Sequence, residues 1–91
     1  MSISEQAKTH LIGLIYEGET LDAFDLEGFY RWMEASYEAL VFDPLQQERF
    51  DEYCRSSYDS NSMRLFVGVW MLKQALYKEG PEDYTPTYSQ M

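Results

Sequence analysis

Apolar residues recur at three- and four-residue intervals along most of this chain, the spacing of an amphipathic helix. Ala7, Leu11, Leu14 and Ile15 form the first such series, with Ile12 beside them. Ser2 and Glu5 have the S-x-x-E spacing of a capping box, and Gly18 stands where a helix stop belongs. The pattern predicts a helix from about Ile3 to Glu17.

A second helix is expected to start at Asp22 or Asp25, either of which can cap it. With Asp22 as cap, Leu21 and Leu26 hold the two staple positions; with Asp25, Phe24 and Phe29 do. Leu26, Phe29, Tyr30, Met33, Tyr37 and Leu40 then share one stripe. Gly28, Trp32, Ala35 and Ala39 share a second side, mostly small and suited to a close helix neighbour. Glu27, Glu34 and Glu38, with Arg31 among them, line a third.

Asp43-Pro44 both stops this helix and starts the next, because proline favours the first helical position and aspartate caps it. A short third helix is predicted to reach about Cys54, with Leu45, Phe50, Tyr53 and Cys54 as its apolar contacts. Residues Ser56 to Ser62 read as a polar loop. The fourth helix is expected from Met63 to Glu79, ending at Gly80-Pro81. Its main stripe is Leu65, Val69, Leu72 and Leu76; Phe66, Trp70 and Tyr77 form a second, and Val67 and Met71 a third. A helix apolar on so many sides belongs at the centre of a fold or at an interface. The expectation is an all-α bundle of about four helices over residues 1–80, with a short polar tail over 81–91.

Composition changes this picture in two ways. With 45% hydrophobic and 16% aromatic residues in 91 positions, the chain has the material for one ordered core. Its formal charge is -9, which repels a phosphate backbone and an anionic bilayer surface. No direct nucleic-acid or membrane binding is expected. One cysteine, no visible signal peptide and no apolar run long enough to span a bilayer suggest the cytoplasm.

The catalytic inventory is poor. His10 is the single histidine and has no acidic neighbour one turn on; Cys54 lies beside Arg55 with no base in view. No metal ligand set is expected: one histidine and one cysteine do not make a zinc site, and no Glu-x-x-His pair marks a di-iron bundle. The stretch from Asp59 resembles a calcium loop at its opening. It has Arg64 where the loop needs glycine and Trp70 where it needs glutamate. No phosphate cradle or nucleophile elbow occurs. No catalytic residue, cofactor or metal is assigned, and the protein is expected not to be an enzyme. A small hydrolase working through paired carboxylates is the enzymatic alternative.

Two features point to binding. Glu17, Glu19, Asp22, Asp25 and Glu27 follow one another without a Lys or Arg, and Glu34 and Glu38 continue them along the second helix. Thirteen acids and four bases precede Met63, whereas Met63 to Lys78 holds three bases and no acid. Such a surface suits a protein partner with a basic face, and in the extreme imitates nucleic-acid phosphates. Inhibitors that phages direct against host nucleases, restriction systems or CRISPR complexes are of this class. Helix dipoles alone also favour acids at helix starts.

The second feature is the aromatic surplus at Trp32, Phe66, Trp70 and Tyr77, with Tyr58 and the tail tyrosines besides. These residue types are enriched at interfaces. They suit an antitoxin, immunity or adaptor protein, or a homodimer. If Leu65 and Leu72 are core residues, replacing either by Ala should cost about 2–5 kcal/mol, read as a fall in the urea midpoint at constant slope.

Overall fold

A computed structural model of the protein describes residues 4–78. Over that span four helices pack with no strand: α1 Glu5–Thr20, α2 Leu26–Ala39, α3 Pro44–Phe50 and α4 Asn61–Lys78. A short 3-10 turn, Leu40–Phe42, joins α2 to α3, and a π-helical turn, Asp51–Arg55, continues α3. The four-helix expectation holds. Ser2, the Gly80-Pro81 stop and the 81–91 tail lie outside the described residues.

Each described start has a local cause. Ser4 caps α1, its hydroxyl accepting from the Ala7 amide at 3.1 Å. Asp25, not Asp22, caps α2 through the Gly28 amide. Gly28 leaves room for that carboxylate, since the atoms nearest a Cβ there would be those of the Asp25 side chain. Its expected role in helix contact is therefore replaced by one in capping. Asp22 instead closes the preceding turn, accepting from the Phe24 amide at 2.9 Å. Asp43 caps α3 with Pro44 at the first helical position. α4 begins two residues before the expected Met63, with Ser60 accepting from the Met63 amide.

The core is built around Trp32. Its indole N–H donates to the Leu14 carbonyl of α1 at 2.8 Å. Its ring is stacked on Phe29 and tilted against Phe50, with centroids 6.5 and 6.1 Å away. Two glycines admit the ring. A Cβ on Gly18 of α1 would fall 2.7 Å from the indole, and one on Gly68 of α4 would fall 2.9 Å from it. Gly18 therefore does not end α1, which runs on to Thr20; it is the notch in which Trp32 sits. The glycine signal was right that the position is special, but packing, not backbone handedness, makes it so.

α4 is central. Leu72 and Ala75 are fully buried, Leu65, Val69 and Met71 nearly so, and the helix contacts all three others and the π turn. In α2 the buried set is Phe29, Trp32, Met33 and Ser36, followed by Leu40 of the 3-10 turn, a stripe turned from the expected one; Leu26 and Tyr30 are half exposed instead. Trp32 causes the turn, because the largest apolar surface takes the interior. In α3 and the π turn, Phe50 and Cys54 are fully buried as expected, but Leu45 and Tyr53 point outward.

Gln46 takes the inner place next to Leu45, its amide donating to the Met71 carbonyl of α4 at 3.0 Å. Gln47 donates to the Tyr37 carbonyl near the end of α2 at 2.9 Å. Arg64, also buried, reaches from α4 to the end of the π turn. Its guanidinium donates to the Cys54 and Arg55 carbonyls at 2.8 and 2.9 Å and to Asn61 Oδ1 at 3.0 Å. The Arg64 bonds satisfy carbonyls that a helix end leaves without partners.

The glycine notches give opposite expectations for one chemical change. Ala is about 1 kcal/mol better than Gly in a helix interior. At Gly13, where a Cβ would meet nothing within 4 Å, Gly13→Ala should raise stability by up to about that amount. At Gly18 and Gly68 the added methyl overlaps the indole, and Gly18→Ala or Gly68→Ala should cost about 1–3 kcal/mol. Urea midpoints for the three variants check the sign of each.

Candidate partner-binding surface

The first five acids of the series lie on adjoining elements. Glu17 and Glu19 lie in the last turns of α1, Asp22 and Asp25 in the link to α2, and Glu27 in the first turn of α2. Glu34 and Glu38 follow farther along α2, and all seven side chains are exposed.

Several are already engaged. Asp22 and Asp25 accept the backbone amides described above. Glu19 pairs with Lys73 of α4 at 2.6 Å, and Glu27 with Arg31 at 3.8 Å. Glu34 pairs with Arg55 at 3.0 Å. Arg55 also donates to Asp51 at 2.8 Å and lies over the Tyr37 ring. The Asp51 hydrogen bond is the largest cause raising the Arg55 pKa above its ordinary value; slight burial opposes it. Ion pairs this exposed contribute about 0–1 kcal/mol each, so they blunt the local charge more than they stabilise the fold.

The four aromatic candidates do not form one face. Trp32 is 1% exposed and belongs wholly to the core, so it is unable to meet a partner. Trp70 and Tyr77 are half-buried, while Phe66 is 70% exposed. Tyr58 is fully exposed in the loop before α4.

Phe66 and Trp70 instead line a groove of about 490 Å³ between the end of α1 and α4. Leu21, Leu65 and Val69 complete its apolar wall, Gly18 lies against it, and Glu19 and Lys73 stand at its side. This groove was not legible in the sequence. It depends on Gly18 lacking a side chain beside Val69 and on the crossing of two helices 40 residues and more apart. One sequence signal did exist, a helix-interior glycine followed by Glu and an isolated leucine.

The staple that Phe24 was expected to close on Phe29 does not form: Phe29 is fully buried and Phe24 is 85% exposed. Phe24 thus stands in solvent in the link between Asp22 and Asp25.

The remaining chemistry is sparse. His10 is exposed and lines a shallow hollow on α1 with Thr9, Gly13 and Glu17. Among the described residues no three His, Cys, Asp or Glu side chains converge as a metal site would require. No helix among them is long and apolar enough to cross a membrane. Cys54 is fully buried in contact distance of Gly68, and burial pushes its thiol up from 9.0 to about 12 against a smaller lowering by Arg64. No family model matches the chain, and no curated protein or solved structure shows significant similarity to it.

The Cys54 thiol carries a pH prediction. An unfolded chain releases this proton near pH 9, and the folded chain holds it to about 12. The folded state therefore binds more protons across that window, so stability falls as pH rises through it. The fall should approach about 1.4 kcal/mol per pH unit and be absent below pH 9. Urea titrations between pH 8 and about 11 should show a shallower decline in Cys54→Ala than in the parent. Thiol alkylation of the native parent at pH 8 should be slow until the chain unfolds.

Proposed function

We propose that this is a small non-enzymatic binding protein that inhibits or regulates a partner with a basic surface, through the acidic corner formed by the end of α1, the link and the start of α2. One observation carries the reading. Residues 9–30 hold five acids and no Lys or Arg, and all five side chains are exposed on adjoining elements. Helix-start acids account for Asp22 and Asp25, whose side chains cap turns. They do not account for Glu17, which lies near the C-terminal end of α1, where the helix dipole disfavours negative charge; Glu19, nearby, is held by Lys73. Acid retained against that local preference fits a surface kept for recognition.

The partner class is a protein that handles phosphates: a nuclease, or a restriction or CRISPR complex whose nucleic-acid channel the corner occupies. Complementary fields of this kind bring partners together quickly and lose strength as salt screens them. The proposed site of action is the cytoplasm. A second reading, an antitoxin, immunity or adaptor protein, draws support from exposed Phe66 and half-buried Trp70, and expects little salt dependence.

Pull-down with identification of the captured proteins separates the two. Capture by the parent should be strong at about 50 mM salt and weak at about 300 mM. It should be lost when Glu17, Glu19 and Glu27 become Gln and Asp22 and Asp25 become Asn, changes that keep an oxygen at both caps. A partner retained through both treatments assigns recognition to the aromatic residues and removes the acidic corner from the account.

A further inference from the structure

We infer that the groove between α1 and α4 receives an apolar side chain from a basic, amphipathic segment of the partner protein. This deepens the acidic-surface reading and rests on it. The groove has the size of a site for one or two large side chains, about 490 Å³, and an apolar wall of Leu21, Leu65, Phe66, Val69 and Trp70. Leu65 and Val69 belong to the buried core, so the floor is rigid, while Phe66 stands 70% exposed at the rim.

The charge around it selects the occupant. Glu19 is on the groove itself, paired there with Lys73, and the exposed carboxylate of Asp22 follows the lining residue Leu21 in the chain. An apolar anchor seated against Phe66 and Trp70 therefore brings neighbouring Lys or Arg side chains to those carboxylates. A second copy of the chain meets the opposite situation. It carries a formal charge of -9 and would set like charge against the corner, which disfavours self-association through this face. An acidic or neutral apolar segment fills the groove without using the carboxylates. The basic amphipathic segment uses both features.

The test uses the two indole N–H signals of the 91-residue chain, one per tryptophan. Trp32 is sealed in the core and reports the fold; Trp70 lines the groove and reports occupancy. Three short synthetic helical peptides serve as probes: one with lysines and a phenylalanine anchor, one with the same lysines and alanine for the anchor, and one with glutamates for the lysines. The lysine–phenylalanine peptide should shift the Trp70 signal and leave that of Trp32 in place. The alanine peptide should bind about ten-fold more weakly, the usual effect of losing one aromatic anchor. The glutamate peptide should not bind.

Phe66→Ala should weaken the first peptide by a similar factor with the Trp32 signal unchanged, and Glu19→Gln should weaken it further at low salt. Equal binding of the two lysine peptides overturns the groove inference and leaves the acidic surface standing. Failure of both overturns both readings. A Trp70 signal that moves with protein concentration alone identifies a second copy as the occupant and also overturns the proposal. So does one that moves only on removal of residues 79–91, which makes the chain's own end the occupant.

Discussion

The rest of this structure depends on where the Trp32 ring fits. The indole is the largest fully buried side chain, and it lies between helices that carry glycine where it touches them, Gly18 on α1 and Gly68 on α4. That arrangement sets how closely both helices approach α2. It also removes the cost of burying the indole N–H, which donates to the Leu14 carbonyl one turn before Gly18. A side chain at either notch, or a smaller residue at 32, changes the spacing of three helices together. The groove beside Gly18 is a consequence of the same fit, because Gly18 and Val69 form part of its wall and a Cβ on Gly18 would fall 2.6 Å from Val69.

Polar donors hold the other side of the bundle. Arg64, Gln46 and Gln47 have their amide and guanidinium groups on backbone carbonyls of other elements. Arg64 also lies 5.3 Å from the Phe29 ring centroid and 6.0 Å from that of Tyr30. Neutral carbonyl acceptors at the end of the π turn, where the helix dipole is negative, take the place of a carboxylate. The π turn itself brings Phe50 and Cys54 inward together and closes with the Ser56 amide on the Asp51 carbonyl at 2.7 Å. Ser36 is the exception to this economy: its hydroxyl is buried with no hydrogen-bond partner among the described residues.

Charge and shape then meet at one place. With Trp32 inside the core, Tyr16, Phe24, Phe66 and Trp70 are among the aromatic groups with access to solvent near the end of α1 and its link. The acids of that same region are only partly answered by Lys73, Arg31 and Arg55. The apolar groove and the acidic corner thus adjoin, whereas in the sequence they read as two separate and competing features.

Caps, breakers and helical period are local, spanning about four residues, and they were legible. Ser and Asp caps, Asp43-Pro44 and the polar loop before α4 mark the element starts to within a few residues, and composition sets the charge that any partner must match. The phase of each helix was less legible. α2 and α4 are apolar on more than one side, and period tells which residues share a side but not which side meets a neighbour. That choice follows from volume and contact across the fold: Trp32 inward and Tyr30 outward, Gln46 inward and Leu45 outward. For the same reason Gly18 reads locally as a stop and acts as a notch, and the groove exists only where α1 crosses α4, a juxtaposition that no spacing along one helix contains.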